Sequence, residues 1–246
     1  MLYAIVILAV LLGALAQRVS GMGFALVVAP VLVLLLGPFE GVLIVNLCGA
    51  ISASVILSRV WRDVDWRQFG MLIIAAIAAL IPGVFVSVLL GGPVLQIVVG
   101  SLLIVALTAS LLVTRADRVV AQRPAAAFCG AASGFMSATA GVSGPPMSIY
   151  AVLTRWPQKN FAATLQPYFM ILGASAFTGK VVLEGGLPDY DGWLWVAIIG
   201  TTLVGLALGE LVAKKIDARV ARIIVIVISY AGGVAAIIDG IIALGA

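Results

Sequence analysis

Apolar residues come in runs that recur along the whole chain, and ten of these read as helices: 2–17, 24–36, 41–58, 69–90, 94–113, 125–139, 147–154, 161–179, 192–212 and 223–244. Runs of about 20 residues match the length needed to cross a hydrocarbon core of about 30 Å. Two stretches do not fit a single span. One continuous helix over residues 2–36 would rise about 52 Å and overshoot the bilayer. The pattern breaks it at Gln17-Arg18-Val19-Ser20-Gly21-Met22-Gly23, where a charge, a hydroxyl and two glycines interrupt the apolar run. The stretch 125–154 has the same problem and breaks at Thr139-Ala140-Gly141-Val142-Ser143-Gly144-Pro145-Pro146. Consecutive prolines cannot sit in a helix interior, whereas they suit the first turn of a new helix.

The two breaks occupy corresponding places. Gly21 and Gly23 fall about 120 residues before Gly141 and Gly144, and the same offset carries Asn46 onto Gln166. This internal repeat divides one membrane domain into a first repeat, 1–115, and a second, 124–246. Matched Gly/Pro-interrupted segments are the sequence mark of the discontinuous helices of secondary transporters.

Composition supports the membrane reading: 63% of residues are hydrophobic, 10% are charged and the mean hydropathy is +1.25, against about 25% charged in a soluble domain. A secretory leader followed by a globular domain is excluded, because apolar runs persist to the last residues and residues 1–17 carry no basic leader. The net charge of +4 does not point to nucleic acid, since the basic residues sit in short interhelical clusters and not in one stripe interleaved with aromatics. Cys48 and Cys129 lie inside apolar runs without a CxxC or histidine partner, which reads as two small buried hydrophobes and neither a disulfide nor a metal site. No histidine occurs, so the commonest general base and metal ligand is missing. No cofactor is expected.

The basic clusters set the orientation. Arg59, Arg62 and Arg67 form one, Arg115, Arg118 and Arg123 a second, Arg155 and Lys159 a third, and Lys214, Lys215, Arg219 and Arg222 a fourth. The positive-inside rule places all four in the cytoplasm. That holds only if each interrupted stretch is a hairpin that enters and leaves on one side. Each half is then a hairpin plus three spans, the halves are inverted relative to each other, both termini lie outside, and the acidic loop with Glu184, Asp189 and Asp191 is outside. The fold expected is all-α and polytopic. Asp63, Asp65 and Arg67 read as a solvated cytoplasmic turn, Trp61 and Trp66 as an interfacial anchor, Glu210 as the i,i+4 partner of Lys214, and Asp239 as a solvated outer residue.

A glycine-rich tip within a membrane leaves backbone N–H groups unpaired, which is tolerated where it lines a cavity. Helices starting at Gly23 and after Pro145-Pro146 aim N-terminal ends, each with about half a positive charge, at whatever fills that cavity. This constellation suits an anion. Neutral donors surround it: Gln17, Ser20, Ser137, Thr139 and Ser143 at the tips, with Asn46 and Gln166 on the spans that follow. Arg18 either adds a full charge or snorkels to the cytoplasmic surface. The candidate substrate site is therefore Gln17, Arg18, Ser20, Gly21, Gly23, Asn46, Ser137, Thr139, Gly141, Ser143, Gly144, Pro145 and Gln166. An enzyme would need an acid–base pair, an activated nucleophile or a metal cluster, and the sequence offers none. An anion channel and a non-transporting membrane subunit remain the alternatives to a carrier.

Three segments, QRVSGMGFALVVAP from Gln17 to Pro30, GFMSATAGVSGPPMSIY from Gly134 to Tyr150, and Phe161-Ala162-Ala163-Thr164-Leu165 before Tyr168-Phe169, resemble the TauE/SafE sulfite exporter family of bacteria and related organisms. The stretch GVSGPP, Gly141 to Pro146, is the most specific element. Ala162 departs from the basic residue expected in many relatives, so no anion contact carries over there. The resemblance implies export of sulfite, sulfoacetate, thiosulfate or a similar sulfur-containing anion across a bacterial inner membrane. The expected partners are that anion, the lipid bilayer and possible further copies of the chain. An inside-negative potential drives an anion outward by about 2.3 kcal/mol per charge per 100 mV, so a proton relay is dispensable.

Overall fold

The computed structural model describes residues 2–20, 23–113, 119–212 and 218–245. The described residues form helices joined by short links: α1 (Leu2–Ser20), α2 (Gly23–Leu36), α3 (Pro38–Val60), a 3₁₀ turn at Trp61–Asp63, α4 (Trp66–Leu89), α5 (Gly92–Val113), α6 (Gln122–Ala140), α7 (Gly144–Leu153), α8 (Gln158–Glu184), α9 (Gly192–Val212) and α10 (Ala218–Gly245). Local chemistry sets several boundaries. Pro38 opens α3 after Gly37, whose positive φ of 86° needs a glycine. The Asp65 side chain accepts the Gln68 amide at 3.1 Å and caps α4.

Five of these helices have the length and composition to cross a membrane: Pro38–Asp63, Trp66–Leu89, Gly92–Val113, Gly192–Leu211 and Val220–Gly245. The chain is thus an all-α, polytopic membrane protein. Helices α2 and α7, with 14 and 10 residues, rise only about 21 and 15 Å. Neither can span about 30 Å. Each instead returns toward the end its partner came from. Tyr3, at the start of α1, packs edge-on against Tyr190 and Trp193, and the Tyr190 hydroxyl donates to Glu40, just beyond α2. Val120, before α6, donates its amide to the Leu153 carbonyl at the end of α7 at 3.0 Å.

The two hairpins enter from opposite ends of the bundle. The acidic loop after α8 shares the end of Tyr3 and Glu40, as its Tyr190 contacts require. The opposite end gathers basic links: Lys159 pairs with Asp63 at 2.8 Å, and the Asn160 side chain donates to the Asp63 carbonyl. Arg18 and Arg59 both converge there on Glu210. The 3₁₀ turn is accordingly docked on α8, and Asp65 takes part through its amide, which donates to the Thr164 hydroxyl at 2.9 Å; the expectation of a merely solvated turn is corrected. Glu210 finds Arg59 and Arg18, while Lys214 lies outside the described residues. Asp239 is exposed as expected, yet it also accepts a hydrogen bond from Gln96 at 2.8 Å.

Helix α4 packs most extensively on α6 and α9 on α1, while α2 meets α10 and α7 meets α5. Small residues allow the approach. A Cβ at Gly134 of α6 would lie 1.9 Å from the Ala76 carbonyl oxygen of α4. Helices α3 and α8 pair with each other, as do α5 and α10, and both pairs run antiparallel. In the first, Gly173 meets Asn46 while Lys180 meets Phe39; in the second, Gly240 meets Pro93 while Gly233 meets Ile104.

Candidate functional site

The second break is built by a left-handed glycine. Gly141, at φ 70°, ends α6, and its amide donates to Ser137 O at 3.1 Å while the Val142 amide donates to Met136 O at 3.3 Å. This pair of bonds closes the carbonyl end of the helix. The Asn46 side chain adds a donation to the Ser137 carbonyl at 3.1 Å, and the Ser133 hydroxyl holds the Ser143 carbonyl at 2.8 Å. With the Met136, Ser137 and Ser143 carbonyls bonded, the tip keeps its amide end. Helix α7 starts at Gly144, and Pro145 and Pro146 have no N–H to offer. Ser143 and Gly144 supply the amides there, and no hydrogen bond among the described residues engages them.

The first break is closed differently. The Gln17 side-chain oxygen, Oε1, accepts the Phe24 amide at 3.1 Å, across the tip. Gln17 caps the start of α2 from the end of α1, and its NH₂ group is the part left for the interior.

Between the tips lies a cavity lined by Gln17, Phe24, Ala25, Val45, Asn46, Gly49, Ser137, Gly141, Val142, Ser143, Gly144, Phe169 and Gly173. Its volume is about 40 Å³, on a scale where one water needs about 10–15 Å³. A few waters, or one small oxyanion, fit. Positive helix ends, N–H donors and the rings of Phe24 and Phe169 line it, and among the described residues no carboxylate is on its wall.

Six of the residues expected at the site line this cavity: Gln17, Asn46, Ser137, Gly141, Ser143 and Gly144. Others stand behind it. Gly23 and Pro145 are buried in the first turns of α2 and α7. The Thr139 hydroxyl is turned back to the Phe135 carbonyl, and Gln166 donates to the Ala162 carbonyl of its own helix. Arg18 is 3.6 Å from Glu210 with its side chain about a third exposed, so it goes to the surface because a carboxylate neutralises it there. Gly21 and the Ser20 side chain lie outside the described residues. Asn46 reaches the wall, but both its N–H groups are given to carbonyls, of Val42 and Ser137. It is a tie between α3 and α6. The residues not anticipated are chiefly apolar or glycine, and of these Gly173 had a legible signal: it lies two helical turns from Gln166 on the same face of α8.

A family model described as Sulfite exporter TauE/SafE matches residues 5–236. No curated protein and no solved structure gives a match.

Proposed function

The chain belongs to the sulfite exporter TauE/SafE family, and on that premise we propose that it is a carrier for a small sulfur oxyanion, which it exports through the cavity between the hairpin tips. The observation that carries this reading is the asymmetry at the α7 tip. The Met136 and Ser137 carbonyls at the end of α6 are bonded, while the amides of Ser143 and Gly144, beside the cavity, have no hydrogen-bond partner among the described residues. A helix N-terminus with unpaired N–H groups favours negative charge. The volume of about 40 Å³ favours sulfite over the larger sulfoacetate.

We read the halves as inverted repeats. The hairpins enter from opposite ends, and the equivalent helices α3 and α8 lie antiparallel. Alternating access then amounts to the hairpins moving against the spanning helices about the cavity. The path opens first to the basic end, then to the acidic end.

Reconstitution of the purified protein in liposomes tests the proposal. Sulfite uptake should saturate, show counterflow, and exceed thiosulfate and sulfoacetate uptake. Flux linear in concentration with single-channel currents would identify a channel. No flux of any sulfur anion would leave the chain as a non-transporting subunit.

A further inference from the structure

Lys180 is fully buried near the C-terminal end of α8. Among the described residues its Nζ has no hydrogen-bond partner, and it sits 4.8 Å from the centroid of the Phe39 ring. A lysine in the last turns of a membrane helix ordinarily snorkels to the surface. The helix ends at Glu184, about 6 Å further along. The carboxylate of Glu40, which follows Phe39 in the chain, accepts a hydrogen bond from the Tyr190 hydroxyl. An ionisable group kept inside a membrane protein without a partner marks an ion pathway.

Its position relative to the cavity gives the pathway a direction. Gly173, on the cavity wall, meets Asn46, and Lys180, two turns further along α8, meets Phe39, two turns back along α3. Both residues of α8 therefore face the same partner helix, about 10 Å apart along the axis. Lys180 lies between the cavity and the end of the molecule that carries Glu40, Glu184 and Tyr190.

We propose that Lys180 is a second anion station, which the oxyanion meets after leaving the cavity and before reaching the acidic end. This rests on the transport function proposed above. The ammonium supplies the charge that the neutral cavity lacks, and the Phe39 ring holds it in place while the station is empty. A flexible four-carbon stem lets the charge travel with the anion.

The test compares wild type with Lys180→Met and Lys180→Arg in sulfite-loaded liposomes and in sulfite-dependent thermal shift. Met removes the charge while fitting apolar surroundings. Its maximal transport rate should fall about tenfold or more, with melting temperature equal or higher and the sulfite-induced shift retained through the cavity. Arg should restore most of the rate. Lys180→Met transporting at the wild-type rate would overturn the inference while leaving carrier function standing. Inactive Met and Arg variants that both melt early would overturn it too, since a packing role would explain them. If wild type moves no sulfur anion, the transport reading fails first and the station falls with it.

Discussion

At the scale of single residues, the site works by deciding which backbone groups stay unpaired. Gln17, at the first break, and Asn46, on the span that follows it, are both amides on the cavity wall, yet they do opposite things. Asn46 spends its donors on carbonyls of α3 and α6. Gln17 spends its acceptor on the Phe24 amide and keeps its donors. Sequence spacing shows that an amide is near the tip, but which end of it is free depends on contacts between distant elements. Gln17→Glu separates these roles. The carboxylate still accepts from Phe24, at a helix N-terminus where negative charge is favourable, so melting temperature should hold or rise. Inside the cavity the same charge repels an anion. Two like charges about 4 Å apart at an effective dielectric of about 20 repel by about 4 kcal/mol, and half of that weakens binding by about thirtyfold. Sulfite-induced thermal shift and uptake should both be lost from a folded protein; unchanged uptake would remove Gln17 from the site.

At the scale of elements, the broken hairpins were legible because their cause is local: glycine, proline and hydroxyl residues interrupt runs too long for one span. The end of α8 was not. Its apolar run reads as closing at residue 179, since a lysine follows, whereas the helix continues to Glu184 and buries Lys180 completely. A charge normally ends a span, and its burial here is decided by α3, which no local pattern reports. Glycines divide in the same way. Gly134 lies where a Cβ would be 1.9 Å from the Ala76 carbonyl, against the backbone of α4, whereas a Cβ at Gly49 meets nothing within 4 Å and borders the cavity. Gly134→Ala should therefore cost stability, by about 1–3 kcal/mol as overpacking does, and lower the melting temperature. Gly49→Leu should leave the melting temperature near wild type and abolish sulfite uptake by filling the cavity. Normal uptake by Gly49→Leu would show that the anion passes elsewhere.

At the scale of the whole molecule, the two ends differ in charge, and that difference sets how the bundle sits in a membrane. Lys159, in the first turn of α8, pairs with Asp63 after α3, Arg18 and Arg59 meet at Glu210, and Val120 ties the link before α6 to the end of α7. These contacts bring the basic segments to one end, although Arg115, Arg118, Lys214 and Lys215 fall outside the described residues. The other end holds Glu40, Tyr190 and the start of α1. The end of α10 lies there as well, because Gly240 packs beside Pro93 at the start of α5. Basic loops stay in the cytoplasm during insertion, so both termini are expected outside and the hairpin α6–α7 is expected to open from inside. The cytoplasmic mouth is then the basic one, which concentrates anions before they enter, within a Debye length of about 8 Å at physiological salt. Thiol labelling can read this out because the native Cys48 and Cys129 are buried. Asp189→Cys should react with a membrane-impermeant reagent in intact cells, and Arg62→Cys only after permeabilisation. The reverse pattern would invert the molecule, make the acidic end the cytoplasmic entrance, and turn Lys180 from a station on the way out into the first charge an anion meets on the way in.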